Sequence, residues 1–183
     1  MRRAMLFALL TIAACTGGGA SVFVDNAQCE SIVQRFEAEP LAETRVRLSG
    51  GGFTTLVSVE VADTEGPRSR GLMCRSEIPE GTGMLFDLGG RTTGPFWMFN
   101  TYVPLDIIYF KVDGSVSGTA AMLPCTREGG EPESQWHSRC LEESKDYAPE
   151  RSYTHALELP AGWLSSQGYN LLALPDDIRI TIL

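Results

Sequence analysis

Nineteen glycines and ten prolines cut this chain into short segments. Such punctuation favours many turns and short strands over long helices. The segments between the breaks read accordingly. Val57-Ser58-Val59-Glu60-Val61 alternates strictly, the pattern of a half-buried strand with the valines inward and Glu60 outward. Arg45 to Leu48 precedes it as a strand, broken by Gly50-Gly51-Gly52. Leu105 to Val112 is apolar on both faces and reads as a central strand. Asp113-Gly114 is a tight-turn signal joining it to Ser115–Met122. Tyr153 to Leu159 puts Ala156 and Glu158 on one face and Leu157 and Leu159 on the other. Ile178 to Ile182 alternates again and closes the sheet.

The middle of the chain holds most of the aromatic density. Gly83 to Phe86 is a short apolar strand, Gly89-Gly90 a turn and Arg91 to Gly94 a polar loop. Pro95 to Thr101 reads as a strand with Trp97, Phe99 and Thr101 on one face and Phe96, Met98 and Asn100 on the other. Three short helices are expected. The first runs from Asn26, a plausible N-cap, to Glu39, with Ile32, Val33 and Phe36 on one face and Cys29 in the first turn. The second is capped by Asp63 or Thr64 and carries Pro67 early, with Leu72 and Met73 packing inward. The third is a helical turn around Trp163 and Leu164. The span 127–151 is acidic and nearly without aliphatics, and reads as an exposed loop. The sum is roughly seven or eight short strands with two or three short helices, a mainly β (α+β) single domain of antiparallel sandwich or barrel-like form.

Residues 1–14 stand apart from that domain. Met1-Arg2-Arg3 is a positive n-region, and Ala4 to Ala13 is an apolar run too short to span a bilayer as a helix. This is the layout of a secretory signal. It ends Ile12-Ala13-Ala14-Cys15, which resembles a bacterial lipobox and implies cleavage before Cys15 and lipid on its thiol. Residues 15–25 would then be a tether and 26–183 the folded domain, with an acidic insertion at 126–150. Export to the cell envelope follows, with the protein held at the periplasmic face of a Gram-negative membrane through lipid alone. Cys15 has no aspartate after it, which favours the outer membrane. Without Arg2 and Arg3 the 15 basic residues become 13 against 23 acidic, a net charge of −10. Such a surface repels phosphate backbones, so nucleic acid is not an expected partner.

Four cysteines remain: Cys29, Cys74, Cys125 and Cys140. In an oxidising compartment they become disulfides, with three possible pairings. Cys125 and Cys140 flank one loop and are the favoured pair, which leaves Cys29 with Cys74. Closing the shorter loop contributes about 3 kcal/mol by loop entropy. Zinc on Cys125, His137, Cys140 and His155 is the alternative, though Cys-x-x-Cys arms are missing. No cofactor is expected.

Asp106 starts a strand whose same-face partners are Ile108, Phe110 and Val112. A carboxylate at the edge of an apolar face must be paired, solvated or protonated. Arg70 and Arg75 are candidate partners. With Trp97, Asn100 and Thr101 they would form a small polar pocket with an aromatic wall, suited to a carboxylate, a sugar or a peptide end. The competing expectation is structural: Asp106 accepts backbone N–H groups in the turn at 103–105, and Trp97 is core. No Gly-x-Ser-x-Gly elbow or Walker loop is present. A hydrolase using Asp106 with His155 or a serine is one rival reading. Glycosidase chemistry from Glu60 and Asp106 is weaker still, because Glu60 faces outward. Another rival is an interaction module acting through the acidic segment 126–150.

From Val59 to Val116 the chain resembles the bacterial and archaeal domain of unknown function family 192, also called uncharacterised protein family 0127. The carrying residues are Glu60-Val61-Ala62-Asp63-Thr64, Arg70-Gly71-Leu72-Met73 with Arg75, Gly83-Met84-Leu85-Phe86, Phe96-Trp97-Met98 with Asn100-Thr101, and Pro104-Leu105-Asp106-Ile107. Leu157-Glu158-Leu159-Pro160-Ala161-Gly162 is a later match. The resemblance implies one compact β-rich domain, often exported, with no established activity. It also implies a short cysteine-containing segment after the hairpin, which Cys125 fits. Cys74 departs from the family pattern, which has an apolar or aromatic residue there, and segment 126–151 is longer and more acidic than usual. The expected function is a monomeric envelope module that binds a small molecule or another envelope protein through Arg70, Arg75, Trp97, Asn100, Thr101 and Asp106. No reaction is identified.

Overall fold

The computed structural model describes residues 22–183. The signal segment and Cys15 lie outside the described residues. Those residues form nine strands and four α-helices: β1 (Val22–Phe23), α1 (Ala27–Ala38), β2 (Glu43–Gly50), β3 (Phe53–Ala62), α2 (Glu65–Arg70), β4 (Arg75–Glu77), β5 (Thr82–Thr92), β6 (Leu105–Phe110), β7 (Val116–Met122), α3 (Glu133–Glu143), β8 (Tyr153–Pro160), α4 (Trp163–Ser166) and β9 (Arg179–Ile182). Seven of the strands make one sheet in the order β7-β6-β8-β5-β3-β2-β9, and β1 pairs with β4 apart from it. The sheet is mixed rather than purely antiparallel, because β3 and β5 run parallel. The crossover between them is the segment of α2 and β4.

The sheet curls into a half-barrel. Its far edges meet where the Ile180 N–H donates to the Gly114 carbonyl at 3.0 Å. Gly114 holds a φ of +78°, and a Cβ there would stand 2.3 Å from the Ile180 oxygen, so the Asp113-Gly114 turn both reverses the chain and admits β9. The inner face buries Val46, Leu48, Val57, Val59, Ile108, Leu157 and Leu159, sealed by Trp163 and Leu164 of α4. The outer face buries Met84, Phe86, Ile107, Tyr109 and Ala156 under Leu72, Met98, Trp136 and the Cys125–Cys140 pair. Strand β6 is buried at every position, as its continuous apolar run requires.

Three further sequence expectations change. Pro95 to Thr101 is a loop, held by one bridge between Phe99 and Cys125. The extended path fails because Asn100 adopts a left-handed φ of +55° and the chain turns. Gly89-Gly90 and Arg91 belong to β5, which continues to Thr92 across a register break after Asp87. The acidic span is no exposed loop throughout. It contains α3, whose Trp136 and Cys140 are buried one turn apart. Arg139 gathers the acidic residues, pairing Glu131 at 2.9 Å and Glu143 at 3.3 Å. Helix α1 forms as read, with the Asn26 side chain accepting from the Cys29 N–H at 2.9 Å.

Both disulfides form in the expected pairing, Cys29–Cys74 with Cα atoms 5.4 Å apart and Cys125–Cys140 at 5.8 Å. The sulfurs that the zinc alternative needed are thereby bonded to each other.

Candidate functional site

The turn after α2, the loop 96–101 and strand β8 converge on the outer face. They line a partly open cavity of about 20 Å³, whose wall includes Arg70, Gly71, Met73, Phe86, Trp97, Thr101 and Glu158. That is room for one water-sized group. Glu158 stands on β8 between Met84 of β5 and Ile107 of β6. Gly83 lets β5 pack against its backbone, since a Cβ there would come within 2.2 Å of the Glu158 carbonyl oxygen.

Glu158 is only 4% exposed. Among the described residues its carboxyl has no hydrogen-bond or ion-pair partner. Burial pushes its pKa up to about 8. At neutral pH it is therefore mainly a neutral acid, able to donate one hydrogen bond and accept others. Arg70 places its guanidinium over the Phe36 ring of α1, 4.1 Å from the centroid. Its Nε and one terminal nitrogen are buried without a hydrogen-bond partner. That burial lowers its pKa, and the charges of Glu39 and Glu60 oppose the shift. Trp97 is half-buried and stacked on Phe99 at 5.1 Å. The Thr101 hydroxyl donates to the Phe99 carbonyl at 3.3 Å.

The expected constellation is only partly assembled. Arg70, Trp97 and Thr101 share one cavity wall, and Asp106 and Asn100 are elsewhere. Asp106 lies on the inner face with Ile108 and Phe110, because successive strand residues alternate. Its carboxylate accepts the Gly162 N–H at 2.9 Å. Burial raises its pKa, and that N–H pulls the other way. Asp106 therefore takes a backbone partner at the β8–α4 turn and, among the described residues, meets no arginine. Asn100 belongs to a disulfide corner. Its side-chain amide donates to Cys74 Sγ at 3.1 Å, and its carbonyl accepts the Cys74 N–H at 2.8 Å. Arg75 is 5% exposed, pairs with Glu60 and lies 4.9 Å from the Phe36 centroid. Glu60 is thus committed to an ion pair rather than free on the surface.

His155 stacks on Phe110 at 5.1 Å and reaches Asp87 at 3.8 Å. In register Phe110 faces His155 and Asp106 faces Leu159. Four residues of strand, about 13 Å, separate His155 from Asp106, so the two share no hydrogen bond. His137 is exposed and sits edge-on to Trp97 at 5.2 Å.

Glu158 is the residue that sequence reasoning missed. Its face was legible, since it alternates with Leu157 and Leu159. The missing fact was that β8 is covered on both sides, as four consecutive buried residues from Ala156 to Leu159 attest. Its neighbours Ala156 and Pro160 give no sign of that cover.

Fold and site together define a β half-barrel domain, cross-linked by two disulfides, with a protonatable acid at a small cavity of mixed polar and apolar lining. The chain belongs to domain of unknown function family 192, described as Uncharacterized ACR, whose model matches residues 46–170. The match starts within β2, so β1, α1 and Cys29 precede it and β9 follows it. Two solved structures are similar. A candidate transcription regulator from Sinorhizobium meliloti 1021 is 28% identical with a TM-score of 0.58, over 78% of this chain and 95% of that one. A protein of unknown function from Novosphingobium aromaticivorans DSM 12444 is 22% identical with a TM-score of 0.56, over 80% of this chain and 96% of that one. The second likeness shows the fold alone. No curated protein matches. No helix among the described residues is long and apolar enough to cross a membrane.

Proposed function

We propose that the domain is a binding module for a small ligand that inserts one hydrogen-bond acceptor, a carboxylate above all, into the cavity beside Glu158. The observation that carries this reading is the unpartnered Glu158 carboxyl at the cavity wall. A buried carboxyl without a partner forfeits its hydration, on the order of 1–3 kcal/mol even when neutral. A ligand acceptor would recover that loss by taking the Glu158 O–H. The Thr101 hydroxyl and Arg70 border the same cavity, and positive charge favours an anion. The cavity admits one functional group, so the body of the ligand would lie outside it, against Trp97. Two buried disulfides fit an oxidising compartment, and the lipobox-like end at Cys15 would anchor the module there.

The test is an NMR titration of the protein with acetate and N-acetylglycine at pH 6 and pH 9. Shifts are expected at the Gly71 and Thr101 amides and the Trp97 indole, larger at pH 6, and reduced in Glu158→Leu, which removes the donor. Shifts that ignore both the pH and the substitution would reject the reading. Anchoring is tested separately: Cys15→Ala should move the protein from the membrane to the soluble fraction.

A further inference from the structure

A second concave site lies at the seam where β9 meets the β6–β7 turn. It is an open cleft of about 270 Å³, lined by Lys111, Ser115, Arg151, Asp176 and Arg179 among others. Three cations from three separate segments therefore face one carboxylate, Asp176, on a chain of net charge −8. Among the described residues none of the three cations makes an ion pair. Arg179 uses one terminal nitrogen on the Asp176 and Ile178 carbonyls, at 3.1 and 2.8 Å, and these bonds fix its guanidinium. Asp113 lies close enough to feel Lys111 and Arg179, but its carboxylate already accepts the Ser115 N–H at 3.0 Å and hydroxyl at 2.7 Å. The cleft is held open by the fold itself, since Gly114 and Ile180 join its two sides.

We propose that this seam cleft binds a phosphate-class anion, with Lys111, Arg151 and Arg179 as its ligands. A carboxylate offers one two-oxygen fork, which a single arginine satisfies. Three cations approaching from different elements match an anion with three or more acceptor oxygens and more than one charge. The overall negative charge of the chain repels anions at a distance, so the cleft acts at short range and its grip weakens with salt. The phosphate could be free or part of a lipid headgroup. Val112, 83% exposed at the tip of the same turn, adds an apolar contact beside Lys111 that suits the headgroup source.

The test compares Lys111→Gln/Arg151→Gln with Arg35→Gln/Arg127→Gln, which removes the same charge at two exposed arginines, one on α1 and one before α3, neither of which lines the cleft. All proteins carry Cys15→Ala so that no acyl chain contributes, and melting curves confirm the fold. Inorganic phosphate is titrated by calorimetry at 50 and 200 mM salt. Phosphatidylglycerol and phosphatidylcholine vesicles are tested by cosedimentation. The cleft variant is expected to weaken phosphate binding at least tenfold and the control variant less than twofold. Loss of phosphatidylglycerol binding alone would assign the anion to a headgroup. Absence of saturable binding to either probe, or equal weakening in both double variants, would overturn the proposal.

Discussion

The two faces of the sheet each bury one lone carboxyl, and they treat it differently. Asp106, on the inner face, and Glu158, on the outer, are each 4% exposed on neighbouring strands. Asp106 accepts a backbone N–H from Gly162, which offsets part of its desolvation. Among the described residues the Glu158 carboxyl receives no hydrogen bond from the fold, and burial pushes its pKa up to about 8. Burial by itself therefore does not mark a binding group. The mark is a buried polar group that the fold leaves without a partner beside an opening.

The largest effect that sharpens this contrast is on stability against pH. An unfolded glutamate titrates near 4.5 and folded Glu158 near 8. The folded state holds the proton longer, so this stabilising contribution is complete below pH 4.5 and is lost as pH rises through 8. The loss is on the order of 4–5 kcal/mol. Glu158→Gln should remove it: urea unfolding should find the variant near parental stability at pH 4 and several kcal/mol more stable at pH 9. Equal stability at both pH values would mean that Glu158 is solvated and the contrast false.

Next come the staples of the outer layer. Cys125–Cys140 is part of the outer core, and Cys29–Cys74 ties α1 to the turn that leads from Leu72. The loops they close span 45 and 15 residues. Replacing both cysteines of a pair by serine should cost about 4 kcal/mol for Cys29–Cys74 and about 3 kcal/mol for Cys125–Cys140. Denaturant midpoints in oxidising buffer check the order. A larger loss for the shorter loop would mean that packing, not loop closure, dominates there.

The smallest effects belong to Asp106. Asp106→Ala orphans the Gly162 N–H and should cost about 1–2 kcal/mol, while Asp106→Asn keeps an acceptor and should stay within about 1 kcal/mol. A loss of several kcal/mol in Asp106→Asn would reveal a charged partner, and the inner carboxyl would need a different account.

Local signals in the sequence carried the strands that alternate, the Asp113-Gly114 turn, the Asn26 cap and the disulfide pairing. Each depends on residues near one another in the chain, except Cys29–Cys74, 45 residues apart, which is what remains once Cys125–Cys140 is paired. What escaped depends on distant contacts. The loop at Pro95–Thr101 has the composition of a strand, and only the left-handed Asn100 at the disulfide corner diverts it. Helix α3 lacks an apolar stripe, because Trp136 and Cys140 supply its whole buried face. Of the six expected pocket residues, Arg70, Trp97 and Thr101 line the outer-face cavity, while Asp106 faces inward. One residue of strand phase decides between them.

The most direct measurement is the ionisation of Glu158 itself. A side-chain carboxyl ¹³C titration of the folded protein should give a midpoint near 8 for this residue, moving further up when acetate is bound. A midpoint near the ordinary glutamate value of 4.5 would contradict it, because the carboxyl would then be hydrated or paired and would have nothing left to offer a ligand.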